Sequence, residues 1–212
     1  IRFDKTKWTV AEAKEWLNKH KYKPISFEPA SEEKALNVPE KRVYAFEVRV
    51  NSTDNQMIIE GHAAVFDQMT RIGDAFDEQI SRGAFKKTLQ EHDIVMLWNH
   101  DDGKPLGRVS TKTLELKEDD IGLFAKGFMP DNSWGKDAHV SVGRGDVQGM
   151  SFAFTVIKEE WEERVGDIPK RTIKEIRLYE VSPVTFPAYP TTDIQARAIM
   201  EAHGVLLDVA TC

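Results

Sequence analysis

The amino-acid sequence predicts an α+β fold dominated by β-strands, most simply a mostly antiparallel, closed or nearly closed β-barrel flanked by a few helices. Several short segments alternate apolar and polar residues with the period of two that a strand requires, and turn-forming residues separate them. Segments with helical spacing of apolar residues are few and short. The chain has 212 residues, which is long enough to bury a sizeable core within one domain.

The composition argues against several classes of protein. The formal net charge of -6 gives no electrostatic reason to expect nucleic acid or an anionic membrane as a partner. No apolar run approaches the roughly 18 residues of a membrane span, and no leader resembles a signal peptide, so we expect a protein of the cytosol. The single cysteine, Cys212, excludes an internal disulfide and a cysteine-based zinc site.

The first 40 residues are expected to form a separate small element. Thr9 and Glu12 match a capping box, and apolar residues recur behind them at helical spacing. We therefore predict a short amphipathic helix over Thr9 to His20. The stretch from Lys21 to Lys41 is rich in proline, lysine and glutamate, which indicates a linker.

The first half of the main domain contains two predicted strands in a hairpin, a helix and an interior strand. Lys41 to Val50 alternates as a half-buried strand does, and Met57 to Phe66 is its expected hairpin partner, with Gly61 marking a bulge. After a polar loop, helical spacing predicts a helix from about Ser81 to Gln90. Ile94 to Trp98 is a continuous apolar run and predicts an interior strand.

The second half contains another hairpin and a long strand pair. Thr113 to Lys117 and Leu123 to Met129 flank a turn and predict a hairpin. One or two helical turns are expected around Trp134 to Val140. Val147 to Ile157 is apolar on both faces, as a buried central strand is, and Arg171 to Val181 is the expected return strand.

Three prolines, Pro183, Pro187 and Pro190, follow the return strand. Proline cannot sit in an interior ladder, so we expect the chain to leave the sheet there. Ile194 to Leu207 has the pattern of a weak helix or a tail. The predicted organisation is therefore an N-terminal helix and linker (1–40), a β-barrel domain (41–192) and a C-terminal tail (193–212).

Three polar side chains stand in or at the edge of apolar strands: Ser151, His100 and Glu180. Nucleophilic catalysis by serine requires a hydroxyl, a base within hydrogen-bond reach and a group that orients the base. Each residue also has a structural interpretation. Ser151 can be a core serine bonded to the backbone, His100 a surface loop residue, and Glu180 the partner of Arg177 or Arg171.

Other candidate sites are weaker. The remaining histidines lack metal-ligand spacing such as HExxH. Asp74, Asp77 and Glu78 form an acidic cluster without the calcium-hand pattern, so we expect a solvated loop. Gly143 to Gly145 lacks the flanking strand and helix of a phosphate loop. We therefore expect neither a metal nor a cofactor.

Six segments of the chain match the motifs of one protein family, in order. They are GHAAVF (61–66), ISRGAFKKTL (80–89), LWNHD (97–101), LGR (106–108), GMSFAF (149–154) and EVSPVTFPAYPTT (180–192). At these spacings the sequence resembles the prohead proteases of tailed bacteriophages, which are head-maturation serine peptidases similar in fold to herpesvirus assemblin. The resemblance extends across about Val43 to Arg197.

The resemblance implies that Ser151 is the nucleophile, His100 the general base and Glu180 the group that orients His100. One alternative stays open for the third member. Assemblin-type enzymes use a second histidine there, and His62 stands in GHAAVF where the family more often has an aromatic residue, so His62 or His139 competes with Glu180. The arginine that contributes in the assemblin relatives is not assigned, although Arg177 and Arg144 are candidates.

The resemblance also implies a biological setting. The enzyme would act inside the procapsid, in the cytoplasm of a bacterial host, on the major capsid protein and a scaffold or delta segment, and then on itself. Pro190 to Met200 is a candidate region for self-cleavage. A homo-oligomer, such as a dimer, is expected, with no nucleic acid or membrane as partner. The alternatives are a catalytically silent capsid-assembly or scaffold partner with the same fold, and an unrelated β-barrel binding module.

Overall fold

The structure, a computed structural model, describes residues 12, 15–16, 19–20, 39–44, 48–53, 56–164, 167–186 and 199. The chain divides into two compact units, residues 1–34 and 35–212. In the first unit, positions 12, 15, 16 and 19 are helical, and the His20 backbone N–H donates to the Trp16 carbonyl at 3.0 Å. The rest of the helix predicted over Thr9 to His20 lies outside the described residues, as does nearly all of the predicted linker.

The described part of the second unit contains eleven strands and two helices. In chain order they are β1 (Glu40–Tyr44), β2 (Arg49–Thr53), β3 (Gln56–Val65), β4 (Thr70–Ile72), β5 (Phe76–Ile80), α1 (Lys86–Glu91), β6 (Val95–Trp98), β7 (Asp101–Arg108), β8 (Leu114–Glu118), β9 (Gly122–Phe128), α2 (Ser133–Arg144), β10 (Gly149–Glu162) and β11 (Lys170–Val184). The prediction of a β-dominated fold with few helices is confirmed. No helix in the described ranges is long and apolar enough to cross a membrane.

The strands form two separate sheets. One has seven strands in the order β1-β10-β11-β5-β4, with β6 also paired to β11 and β7 paired to β6. It is mixed, because β5 and β6 both run parallel to β11. The other has four antiparallel strands in the order β2-β3-β9-β8. Neither sheet closes on itself within the described residues, so the expectation of a barrel is wrong.

A single large apolar cluster takes side chains from both sheets. Phe152 and Phe154 of β10 contribute stacked rings from the seven-stranded sheet, and Ile59 and Ala125 contribute from the four-stranded sheet. Burial of apolar surface stabilises a fold by roughly 25 cal/mol per Å². This shared cluster therefore stabilises the start of β10, where Phe152 and Phe154 lie.

The strand predicted over Lys41 to Val50 is wrong as a single element. Its first half is β1, which pairs with β10, whereas its second half belongs to β2, which pairs with β3. The hairpin with Met57 to Phe66 is confirmed, but β2 supplies the first strand. Alternation continues through both halves, so the sequence pattern gave no sign that the chain passes from one sheet to the other.

The acidic loop predicted around Asp77 and Glu78 is a strand, β5, and both residues are buried. Glu78 accepts hydrogen bonds from Arg42 and Arg171. These arginines lie 36 and 93 positions away in the chain, so local composition could not show that the carboxylate has buried partners. The expectation of a solvated loop is therefore wrong for Asp77 and Glu78, whereas Asp74 is exposed in a turn.

Two later elements differ in extent from their predictions. Helix α2 has 12 residues, longer than the turns expected around Trp134. It begins where the Asn132 side chain accepts the Gly135 N–H at 2.8 Å, and it ends at Gly145, whose φ is 79°. Strand β11 continues to Val184, with Pro183 opposite Met150. The chain therefore does not leave the sheet at Pro183, and Pro187 and Pro190 lie outside the described residues.

Candidate active site

The pairing of β10 with β11 places the candidate nucleophile beside the candidate carboxylate. In this antiparallel register Ser151 lies opposite Ser182, and Ala153 lies opposite Glu180. Cross-strand partners and alternate residues share one face of a sheet, so Ser151, Glu180 and Ser182 lie on the same face. Ser151 and Ser182 are 0% exposed and Glu180 is 7% exposed.

The turn between β6 and β7 carries His100. Trp98 pairs with Asp101, which leaves Asn99 and His100 as a two-residue hairpin turn. Their φ angles are 52° and 61°, both in the left-handed region that a type I′ turn requires. Histidine is strained there, and such strain persists only where surrounding contacts hold it.

Those contacts come from the end of β11. The Asn99 N–H donates to the Pro183 carbonyl at 3.1 Å, and the His100 N–H donates to Ser182 Oγ at 3.3 Å. The turn is thereby docked on the same strand that carries Glu180. Sequence analysis placed His100 in a loop after an apolar strand, and the structure confirms that position.

The imidazole of His100 is hydrogen-bonded to Glu180. The distance from Nδ1 to Oε1 is 2.6 Å, and the side chains are 17% and 10% exposed. Because a carboxylate only accepts, Nδ1 carries the proton in this bond, which leaves Nε2 as the acceptor of a neutral imidazole. Nε2 is buried and has no hydrogen-bond partner among the residues that the structure describes. A buried ring nitrogen kept as an acceptor is what a general base requires.

Ser151 is not hydrogen-bonded to His100. Its Oγ donates to the backbone carbonyl of Arg42 in β1 at 2.9 Å. Within the described residues, the hydrogen bonds of His100 go to Glu180 and Ser182. The structure thus brings His100 and Glu180 into contact and places Ser151 opposite Ser182. The Ser151 hydroxyl is hydrogen-bonded to the backbone, as that of a core serine would be.

Neither alternative histidine is hydrogen-bonded to His100 in the described part of the chain. His62 in β3 pairs with Asp119, with 2.9 Å between Nε2 and Oδ2. His139 in α2 lies 3.4 Å from the Asn51 carbonyl, measured from Nε2. Glu180, His62 and His139 were the candidates for the third member of the triad. Of these, only Glu180 is hydrogen-bonded to the imidazole of His100 in the described structure.

The candidate arginines are engaged elsewhere. Arg177 lies over the ring of Tyr179, with 5.4 Å between its Cζ and the ring centroid. Arg144 pairs with Asp146 at 3.1 Å. Arg171 binds three carboxylates other than Glu180, namely those of Glu40, Glu78 and Glu159. The structural interpretation that paired Glu180 with Arg177 or Arg171 is therefore wrong.

A buried ion network fixes the strand that faces Ser151. Arg42 donates from Nε to Glu78 Oε1 at 2.6 Å, and Arg171 donates from Nη1 to Glu78 Oε2 at 3.0 Å. Burial alone raises the pKa of Glu78, but the charges and hydrogen bonds of the two arginines outweigh it and hold that pKa below its usual range. The network ties β1 to β5 and β11, and so holds the Arg42 carbonyl beside Ser151.

Sequence analysis missed Ser182. Its hydroxyl donates to Glu180 Oε2 at 2.5 Å and accepts the His100 N–H. The available signal was its spacing, because a residue two positions from Glu180 on a strand faces the same way.

Among the described residues, no group of three or more histidine, cysteine, aspartate or glutamate side chains is placed to hold a metal ion.

Comparison with known proteins shows similarity to a protease family of tailed phages and to individual phage proteases. Residues 44–204 match the family model described as caudovirus prohead serine protease. The prohead protease of Enterobacteria phage HK97 is 32% identical over 169 residues, which cover 77% of this chain and 70% of the relative. A solved structure of the bacteriophage T4 capsid assembly protease aligns with a TM-score of 0.42 and 9% identity, covering 68% of this chain and 98% of the other.

Proposed function

This chain belongs to the caudovirus prohead serine protease family, and we propose that it cleaves its substrates with Ser151 as nucleophile, His100 as general base and Glu180 as the group that orients His100. The family assigns the reaction, which is peptide-bond hydrolysis during capsid maturation. The observation that supports these residues is the His100–Glu180 hydrogen bond of 2.6 Å at Nδ1, while the buried Nε2 has no partner within the described part of the chain.

The first step requires the Ser151 hydroxyl to change its hydrogen-bond acceptor. In the described conformation it donates to the Arg42 carbonyl. Its cross-strand partner, Ser182, accepts a hydrogen bond from the His100 backbone. His100 is therefore held at the end of β11, the strand that pairs with β10. For the reaction, Nε2 of His100 must replace the Arg42 carbonyl as the acceptor of the Ser151 hydroxyl proton. The exchange gives the ring nitrogen a partner and takes the Ser151 donor away from the Arg42 carbonyl.

The chemistry then follows the roles of a serine triad. Ser151 Oγ attacks the carbonyl carbon of the scissile peptide while its proton passes to His100 Nε2. The imidazolium gives that proton to the leaving amine as the C–N bond breaks, which leaves an acyl-enzyme. Water attacks the acyl carbon while His100 accepts its proton. The imidazolium then returns that proton to Ser151 Oγ as the ester C–O bond breaks, which releases the new C-terminus and restores the serine. Throughout, the carboxylate of Glu180 stabilises the imidazolium and holds the ring by Nδ1.

Substrate access is a separate requirement. Ser151 is 0% exposed, so a polypeptide carbonyl cannot touch Oγ in the described conformation. Groups that cover this face must move when substrate binds. We expect slow labelling of Ser151 by a fluorophosphonate in the isolated protein, and faster labelling in assembling particles.

The expected substrates are the major capsid protein and its scaffold or delta segment, enclosed with the enzyme in the procapsid of an infected bacterial cell. The family membership and the HK97 relative support this setting. We also propose self-cleavage within Pro190 to Met200, of which only residue 199 is described. Activity as a homo-oligomer, such as a dimer, is part of the same proposal and is checked by the mass of the active species in solution.

Co-expression with the cognate capsid protein tests the proposal. Wild type, Ser151→Ala and His100→Ala are compared by intact mass of every chain in purified particles, with Ser133→Ala, an exposed serine in α2, as the matched control. We expect truncated capsid protein with wild type and Ser133→Ala only. The mass differences also identify the cut sites.

One observation favours a second function, that of a catalytically silent assembly partner. The buried Ser151 hydroxyl is bonded to a carbonyl and not to the imidazole, as expected of a structural serine. Uncleaved capsid protein in properly assembled wild-type particles would support this second function and overturn the first.

A further inference from the structure

We infer that Ser182 is a positioning residue for the reaction, in that it aims the Glu180 carboxylate at His100 and anchors the His100 turn. The inference rests on the proposed roles of His100 and Glu180. Ser182 is 0% exposed. Its Oγ donates to Glu180 Oε2 at 2.5 Å and accepts the backbone N–H of His100 at 3.3 Å.

These contacts close a ring of hydrogen bonds. The His100 N–H donates to Ser182, Ser182 donates to one oxygen of Glu180, and the other oxygen accepts from His100 Nδ1. A carboxylate rotates as a rigid plane, so fixing Oε2 also fixes Oε1. Without the Ser182 hydroxyl, Oε2 is left buried without this donor, which costs about 1–3 kcal/mol unless the group rotates. Rotation would withdraw Oε1 from the imidazole.

The same ring of hydrogen bonds also holds a strained backbone at His100. His100 has a φ of 61°, and the left-handed region costs a residue with a Cβ roughly 1–2 kcal/mol. The bond from the His100 N–H to Ser182 is one of two that dock this turn on β11. Ser182 thus constrains both the position of the His100 backbone and the Glu180 carboxylate that accepts a hydrogen bond from the imidazole.

The geometry does not suit Ser182 as the nucleophile. Its hydroxyl proton points to a carboxylate, and its acceptor lone pair faces a backbone N–H. Neither contact is with Nε2 of His100, the ring nitrogen that remains unpaired. Ser182 therefore acts through Glu180 and His100.

The test removes the hydroxyl and then restores it. Ser182→Ala deletes the donor, Ser182→Thr retains a hydroxyl, and Ser182→Cys provides a weaker donor of similar size. The matched control is Thr88→Val, because Thr88 is also buried and its hydroxyl accepts the Leu178 N–H of β11 at 2.9 Å. Steady-state kinetics use a peptide that spans a cut site mapped by co-expression.

We expect Ser182→Ala to lower kcat by about 10- to 100-fold, taking as a guide the cost of losing the outer partner of a metal-binding side chain, with KM changed less than about threefold. Ser182→Thr should recover most of kcat and Ser182→Cys an intermediate part. Thr88→Val should keep wild-type kcat despite a comparable loss of stability. A kcat for Ser182→Ala equal to that of Thr88→Val would overturn the inference.

A second measurement does not depend on turnover. The proton in the short bond between His100 Nδ1 and Glu180 should give a low-field ¹H NMR signal, assigned by its absence in His100→Ala. It should persist in Thr88→Val and shift or vanish in Ser182→Ala. An unchanged signal in folded Ser182→Ala would overturn the inference, whether or not the protein cleaves peptide. Cleavage by Ser151→Ala, in contrast, would overturn the proposed nucleophile and leave this result standing.

Discussion

Glu180 accepts hydrogen bonds from two directions in the interior of the molecule. His100 Nδ1 donates to Oε1 and the Ser182 hydroxyl donates to Oε2. Both donors require an acceptor, and a carboxylate provides one on each oxygen. An amide of the same shape provides an acceptor on one side and a second donor on the other, so it cannot satisfy both.

Glu180→Gln therefore tests the role of the charge with little change in volume. We expect kcat to fall by about 10²- to 10⁴-fold, because the imidazolium formed during attack loses its counter-charge and the ring loses its orientation. The measurement is peptide hydrolysis, with circular dichroism to confirm folding.

The matched control for that change is Glu175→Gln. Glu175 lies on the same strand, but its carboxylate pairs with Lys158 and Lys87. Its activity should equal that of wild type. Equal activity in Glu180→Gln and Glu175→Gln would show that the Glu180 charge has no part in catalysis.

Candidate site residues were predictable where a polar side chain interrupts an apolar strand. Ser151 and Glu180 met that condition, His100 directly follows the end of such a strand, and the motif resemblance selected the same three. Two features were not predictable from local pattern. The bond from Ser151 to the Arg42 carbonyl spans 109 positions of the chain, and the contact of Ser182 with the His100 backbone spans 82.

Strand β1 is the element that faces Ser151, and its position depends on the ion network around Glu78. Removing one charged partner from a buried network leaves the remaining charges without full neutralisation. For a simple buried pair this lowers the free energy of unfolding by about 3–5 kcal/mol. Glu78→Gln should lower the free energy of unfolding by about 3 kcal/mol, near the lower end of that range, because Arg42 and Arg171 keep Glu40 as a partner. Urea unfolding measures the change.

Glu160→Gln provides the comparison for the network. Its carboxylate is 71% exposed and pairs with Lys174 at 3.0 Å. Exposed pairs contribute about 0–1 kcal/mol, so this variant should unfold close to wild type. If Glu78→Gln lowered the free energy of unfolding as little as Glu160→Gln does, the network would not stabilise the fold.

Helix α2 provides a case in which propensity and packing oppose each other at Gly135. Replacing glycine by alanine inside a helix usually stabilises it by about 1 kcal/mol. At this position, however, a Cβ would lie 2.2 Å from the Pro130 carbonyl oxygen, and such crowding costs about 1–3 kcal/mol or more. We expect Gly135→Ala to lower the melting temperature.

The control for Gly135 is Asp137→Ala, an exposed position in the same helix. It gains helix propensity without a clash, so its melting temperature should stay the same or rise. A rise in Gly135→Ala would show that the Pro130 segment yields at little cost.

Elements with strong periodicity were predicted well, and those with mixed composition were not. Strand β10 corresponds to Val147 to Ile157, and the hairpin of β8 and β9 was confirmed. Strand β7 (Asp101–Arg108) was missed because Asp101 to Pro105 has no alternation. Its strand geometry comes from pairing with β6, a tertiary effect that overrides the weak preference of these residues.

At the scale of the whole molecule, the class of fold was predictable and the closure of the sheets was not. Periodicity reports which residues face a core, but not which strands become neighbours. The parallel pairing of β11 with both β5 and β6 joins segments about 90 residues apart. The result is an open mixed sheet where short antiparallel strands alone favoured a barrel.

The stability of the whole molecule should decline in acid, and the Glu78 network gives the sign. The folded-state pKa of Glu78 lies below its usual value, and an unfolded glutamate titrates near 4.3. Below about pH 4.3 the unfolded chain therefore binds a proton that folded Glu78 does not, which favours unfolding. This contribution to stability is complete above that pH and is lost as the pH falls through the folded pKa.

Urea unfolding between pH 7 and pH 3 tests this account. Asp119 and Glu175 also have pKa values below their usual range, Asp119 because backbone N–H groups and His62 outweigh its burial, and Glu175 because Lys158 donates to it. Glu78→Gln should therefore flatten the acid decline without abolishing it. If the pH dependence of Glu78→Gln matches that of wild type, the network around Arg42 and Arg171 does not couple protonation to folding. The acid sensitivity then resides in other carboxylates whose pKa is lowered, among them Asp119 and Glu175.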